Sequence, residues 1–397
     1  MKVTIVRLDD YGRGICYLND KITFVPNACV DDILEIEIVK EAKKYNIGEI
    51  KNIISSKHQD SFCQYSSICG GCSLSLMSYE DTLSFKKQKL EHIFKKFCHE
   101  DINIPIVASP KPLEYRNKIT LHVKDGLVGL YKEETNEIVS INECKLAPYK
   151  VNEFIRIIPK FNIQNGTVVI RNNYNMELLI NFITDDNINI PNLTEFKIVG
   201  ILQNGKILKG EDFFIERFNN MYFKVSYDAF FQINLGITEK LFNLLIELAP
   251  KDKNVLDLFC GTGSLGLTLA SFSKKVYGIE INKNATINAT YNAKINGLKN
   301  CYYLCGDANV LISKIPLKID LVIIDPPRSG MTKEGIKLLR KIKADTIIYI
   351  ACDPITLARD INYLKNDYIL KTAIGLDMFP FTYHIETICY LSRKQDK

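Results

Sequence analysis

A chain of 397 residues is longer than one ordinary hydrophobic core supports, so two or three domains are expected. With 46% hydrophobic and 24% charged residues the composition excludes wholesale disorder. Its longest apolar runs, such as 319–324 and 346–351, fall far short of the roughly 20 residues that span a bilayer. The net charge of +5 suits a nucleic-acid partner without identifying one.

The start, MKVTIVRLDD, carries charge from its second residue and lacks a secretory apolar core, so a cytoplasmic protein is expected. In that reducing compartment the twelve Cys read as ligands, nucleophiles or packing residues rather than disulfides. Short strands at 3–8, 22–25, 33–39 and 47–54, broken by Tyr11-Gly12-Arg13-Gly14, suggest a small barrel. GRGI and VPNACVDDILEIEIVKEAKKYNIGEI resemble the TRAM domain, an RNA-binding barrel related to the OB-fold, which implies an RNA-binding domain over 1–58.

Cys63, Cys69 and Cys72 follow, then a helix from about Tyr79 to Phe97, with Ser78 and Asp81 as a capping box and Leu83, Leu90, Phe94 and Phe97 on one face. From about 104 to 223 the pattern is strands with Gly and Asn turns, including KITLHV, LVGLYK and TVVIRNN, so 59–228 reads as a β-rich central domain. The basic runs Lys43-Lys44, Lys86-Lys87-Lys89 and 337–343 read equally well as solvated faces or RNA contacts.

After Tyr227 strands alternate with helices, which predicts a parallel sheet covered on both faces over 229–397. NVLDLFCGTGSLGLTLA is a strand, a Gly loop and a helix, a place where backbone approaches a ligand closely. Glu280 ends the next strand, where a carboxylate accepts from ribose hydroxyls. Gly261, Gly263 and Gly266 also satisfy dinucleotide spacing, so spacing alone leaves NAD open. D-x-F-C-G-T-G and IDLVIIDPP resemble class I methyltransferase motifs, which favours S-adenosylmethionine and makes Asp307 an adenine contact.

DPPRSGM and ACDPITLARD each follow an apolar strand, so Cys352 falls at the ligand-binding edge of the sheet. Together with HIETICYLSR and FFQIN they resemble the uracil-5 RNA methyltransferase family over nearly the whole chain. That resemblance implies a class I (Rossmann-like) α/β methyltransferase domain behind a mostly β central domain and an OB-like barrel. It implies Cys352 as the nucleophile that adds to uridine, Glu386 as the base, and Gln232, Phe259, Glu280 and Asp325 as cofactor-binding residues. The family usually reads Ser-Cys-Asn-Pro where this chain has Ala351-Cys352-Asp353-Pro354. A close Asp353 carboxylate would reduce thiolate, so its side chain is expected to point away.

Cys63, Cys69 and Cys72 need a fourth ligand, for which Cys144 in NECKLAPY is the candidate. Spacing leaves zinc and iron–sulfur open, while the resemblance implies [4Fe–4S]. The five His, at 58, 92, 99, 122 and 384, show no paired ligand spacing. RNA is the implied partner, with 23S rRNA favoured over a tRNA T-loop. A monomer without membrane contact is expected.

Overall fold

The computed structural model describes residues 1–56, 61–133 and 135–395, so the boundary expected at 58/59 and His58 lie outside the described residues. Six strands open the chain: β1 (Lys2–Thr4), β2 (Arg7–Leu8), β3 (Gly14–Leu18), β4 (Lys21–Val25), β5 (Ile33–Glu41) and β6 (Tyr45–Ser55). Residues 2–8 pair with β5 through β1 and with β3 through β2, so the order β1-β5-β6-β4-β3-β2 closes on itself as a barrel. Ile5, Cys16, Val25, Leu34 and Ile36 fill it. β3, with its Gly start, escaped the sequence reading.

Helix α1 (Tyr79–Phe97) starts where the capping box placed it, with the Ser78 hydroxyl accepting from the Asp81 N–H at 3.1 Å. The helix and the short β7 (Ile106–Val107) lie within the stretch expected to form the central domain, yet both pack on the C-terminal sheet. Lys86, read as solvated or RNA-facing, is instead fully buried against Asp377 and donates to the Phe379 carbonyl. Tyr79 donates to the other Asp377 oxygen at 2.7 Å.

The central sheet has the order β10-β9-β8-β11-β12-β13-β14. Its strands are β8 (Lys118–Lys124), β9 (Leu127–Tyr131), β10 (Ile138–Ser140), β11 (Gly166–Asn172), β12 (Leu178–Ile183), β13 (Ile198–Gln203) and β14 (Lys206–Gly210). Helix α2 (Tyr149–Ile157) covers one face through Val151, Phe154 and Ile155. The hairpin β15 (Phe213–Phe218) and β16 (Met221–Ser226) leads to α3 (Leu235–Leu248).

The C-terminal elements alternate: β17 (Asn254–Leu258), α4 (Ser264–Ala270), β18 (Lys275–Glu280), α5 (Lys283–Ile295), β19 (Cys301–Cys305), α6 (Ala308–Leu311), β20 (Leu321–Ile324), α7 (Lys333–Ile342), β21 (Thr346–Ala351) and α8 (Pro354–Leu364). β22 (Tyr368–Leu376) and β23 (Glu386–Arg393) close the chain. Alternate residues of β20 go to opposite cores, Val322 and Ile324 to one side and Leu321 and Ile323 to the other, as a strand buried on both faces requires. The expectation of a parallel sheet holds only in part. In the order β19-β18-β17-β20-β21-β23-β22-β7, β23 runs antiparallel to both neighbours, because a hairpin returns it between β21 and β22. No helix among the described residues is long and apolar enough to cross a membrane.

Candidate active site

The Gly loop after β17 is built from left-handed backbone. Phe259 at φ 61° and Gly261 at φ 53° turn the chain, and Gly263 at φ 81° opens α4. A Cβ on Gly263 would lie 2.7 Å from the Tyr303 hydroxyl, whereas one on Gly261 would meet nothing within 4 Å. The first glycine thus serves packing and the second leaves room for a ligand. Phe259 pays no packing role for its unusual backbone, since its ring stays 40% exposed at the edge of the loop. At Gly266 a Cβ would crowd Asp257 Oδ2, which accepts from the Gly266 N–H at 2.8 Å. Asp257 is fully buried, and burial pushes its carboxyl up to about 8.

Glu280 is fixed from both sides, its Oε2 accepting from the Gly261 N–H at 3.0 Å and its Oε1 from the Asn282 N–H at 2.8 Å. The carboxylate therefore stands beside the Gly loop in one orientation. Asp307 caps the short α6, accepting from the Asn309 N–H at 2.7 Å. Gln232 comes from outside the sheet, on the loop before α3. That loop is pinned to the central sheet by Asn117, whose Nδ2 donates to the Gln232 carbonyl at 3.0 Å and whose N–H donates to Ile233.

The β21/β23 register pairs Ile350 with Ile388 and Ala351 with Thr387, so the next step places Cys352 opposite Glu386. Asp325, directly after β20, joins them. Burial raises the Glu386 carboxyl well above the usual range and Asp325 adds to the shift, partly offset by Arg328. Burial also raises Asp325, to about 7. Two buried carboxyls that feel each other's charge resist double ionisation. Cys352 is half-buried and pushed up to about 11, by burial first and then by Glu386; Arg328 opposes this through its charge and a hydrogen bond to the thiol. Asp353 does point away, as expected: it caps α8 by accepting from the Thr356 N–H at 2.8 Å.

A cavity of about 170 Å³ at the thiol is lined by Tyr11, Lys89, Arg328, Cys352, Tyr383 and His384 among others. Tyr11 belongs to the barrel and meets the Tyr383 ring edge-on at 5.4 Å. Lys89 donates to the Tyr383 carbonyl at 3.0 Å. His384 precedes β23 rather than lying in it, and burial with nearby cations lowers it to about 4, so the ring is neutral. Sequence reasoning gave no site role to Tyr11, Arg328 or Tyr383, and named Lys89 only within a basic run read as a solvated face or an RNA contact. Arg328, in DPPR, carried a local signal.

Cys63, Cys69, Cys72 and Cys144 converge on a second cavity, of about 90 Å³, with Arg116 in its wall. The Gly71 N–H is directed at the Cys69 thiol, and the Leu146 and Ala147 N–H groups at that of Cys144. Among the described residues no three His, Cys, Asp or Glu side chains are close enough to share one ion. Four thiols lining one cavity are a donor set that zinc and an iron–sulfur cluster both accept.

A Gly loop, a carboxylate on the next strand and a thiol at the sheet's carboxyl edge, on this strand order, define a class I methyltransferase. Residues 185–394 match the family described as tRNA (Uracil-5-)-methyltransferase. An uncharacterised RNA methyltransferase of Clostridium tetani is 31% identical, covering 97% of this chain and 95% of its own. One from Staphylococcus aureus is also 31% identical, covering 98% and 97%. The Pyrococcus abyssi tRNA (uracil-54, C5)-methyltransferase, solved with S-adenosyl-L-homocysteine, superposes with a TM-score of 0.82 at 27% identity, over 98% of this chain and 100% of that one. The chain belongs to the uracil-5 RNA methyltransferase family and is an S-adenosylmethionine-dependent RNA (uracil-5-)-methyltransferase.

With the Cys352 thiol raised to about 11, on the order of one molecule in ten thousand carries the thiolate at pH 7. Peptide-resolved alkylation of the cofactor-free protein by iodoacetamide should therefore accelerate at Cys352 continuously from pH 7 to about 10. A plateau near pH 8 would show that the pocket stabilises the thiolate without substrate.

Proposed function

We propose that the chain methylates carbon 5 of a uridine in 23S rRNA, with Cys352 as covalent nucleophile and Glu386 as base. The observation that carries the reading is the β21/β23 register, which sets a thiol opposite a buried carboxyl at the ligand edge of the sheet. Carbon 5 of uracil is a poor nucleophile until electron density enters the ring. Addition of the Cys352 thiolate at carbon 6 supplies it. S-adenosylmethionine, held by Gln232, Phe259, Gly261, Gly263, Glu280, Asp307 and Asp325, supplies an electrophilic methyl group. Glu386 then takes the proton from carbon 5, the ring double bond re-forms, and the Cys352 sulfur leaves. Burial and the Asp325 charge hold the Glu386 carboxyl well above the usual range, so it must lose its proton before it can act as the base.

The barrel and the Cys set support the ribosomal target, as does their resemblance to family members that modify large-subunit RNA. A tRNA T-loop uridine is the second reading, favoured by the likeness to the Pyrococcus abyssi enzyme. We further propose a [4Fe–4S] cluster held by Cys63, Cys69, Cys72 and Cys144, shaping the RNA site rather than exchanging electrons. A monomer acting in the cytoplasm completes the reading.

Glu386→Gln should form the adduct and accept the methyl group yet remain joined to methylated RNA through denaturing electrophoresis, since elimination lacks its base. The band should require S-adenosylmethionine and vanish in the double variant with Cys352→Ala; turnover at the wild-type rate would assign the base elsewhere, with His384 next. Protein purified without oxygen should be brown and contain iron and acid-labile sulfide, both lost in Cys69→Ser or Cys144→Ser. Stoichiometric zinc without sulfide would overturn the cluster. Mass spectrometry of both RNA pools from cells with and without this protein should show 5-methyluridine lost from 23S rRNA; loss from tRNA alone would select the T-loop.

A further inference from the structure

Three cations meet on the central sheet with no acid paired to them. Lys118 opens β8 and stands directly opposite Arg171 across the β8/β11 ladder, so the two side chains share a face. Arg116 turns back along the same chain, its Nε donating to the Lys118 carbonyl at 3.1 Å. Among the described residues none of the three makes an ion pair with a carboxylate, and the Lys118 ammonium has no hydrogen-bond partner. Arg171 is only 4% exposed. It spends one nitrogen on the Ala229 carbonyl and leaves its Nε buried without a partner. The opposite charge that reaches Arg171 is Asp228, an exposed loop residue beyond ion-pair distance.

Gathering like charges out of water is unfavourable, and the protein registers the cost. Burial and the two neighbouring guanidinium groups push the Lys118 ammonium down to about 8, and burial pushes Arg171 down to about 10. An anion entering between them would relieve both effects. The location narrows its identity. Arg171 and Asn117 hold the loop that carries Gln232, and Phe230 on that loop leaves its ring 71% exposed. Cations sharing one sheet face beside an exposed aromatic ring suit one nucleotide of a single strand, phosphate against the cations and base on the ring.

We propose that Arg116, Lys118 and Arg171 form a phosphodiester-binding subsite for the RNA substrate, beside the loop that reaches the methyl donor. The inference rests on the RNA-methylating reading and adds a specific place on the central sheet where the backbone is gripped. Lys118 is the residue to test, since it lies outside the catalytic and cofactor machinery and its half-buried side chain tolerates a polar replacement.

Binding of a labelled oligouridylate of about twelve nucleotides, followed by fluorescence anisotropy between roughly 50 and 200 mM salt, reads the contact directly. Lys118→Gln should flatten the slope of log affinity against log salt by about 0.7, the value for one neutralised phosphate on a single strand, and Lys118→Arg should keep the wild-type slope. S-adenosylmethionine affinity should be the same in all three proteins. Equal slopes in wild type and Lys118→Gln would overturn the subsite. A tenfold fall in S-adenosylmethionine affinity in Lys118→Gln would overturn it too, by giving the cations to the carboxylate of the methyl donor. Wild-type protein that binds the oligonucleotide without salt dependence would count against the RNA reading itself.

Discussion

Glu386 begins an antiparallel strand threaded between β21 and β22, and that direction decides which of its residues can face the thiol. A parallel β23 would bring its carboxyl-terminal end, not its first residue, to the edge where Cys352 lies. Because the strand returns, its opening carboxyl lands at the ligand edge and its apolar remainder, Ile388, Cys389 and Leu391, runs down into the core. One reversal of chain direction thus joins a deep hydrophobic anchor to a polar tip. Burial at that tip is what raises both the carboxyl and the thiol above their usual ranges.

The segment feeding that strand is held by the buried contact of Lys86 with Asp377, supported by Tyr79. Breaking such a pair from one side typically costs about 3–5 kcal/mol, because the remaining charge stays buried. Here it also fixes direction. α1 is clamped to the turn that carries Tyr383 and His384, so the wall of the catalytic cavity is set by a helix that lies hundreds of residues earlier in the chain.

What could be read from the sequence follows from where the determinants lie. The Ser78 cap, the strand before the Gly loop and the position of Cys352 after an apolar run depend on near neighbours, and these are where they were expected. The direction of β23 has no local signature, since alternation looks alike in either sense. Lys86 read as a solvated face or an RNA contact because its partner is 291 positions away, and composition alone strongly favours exposure for a lysine. Tyr11 looked like a turn residue, which it is; its second role exists only once the barrel is docked.

That docking has a further meaning. The tip of the barrel's first turn, with Asp10 and Tyr11, forms part of the enclosure around the reactive sulfur. Amino-terminal residues therefore help decide how much water reaches the thiol, and with it the dielectric in which bonds to carbon 6 form and break. The molecule is modular as a string of residues but not as a chemist's vessel: its lid was made at the opposite end of the chain from its floor.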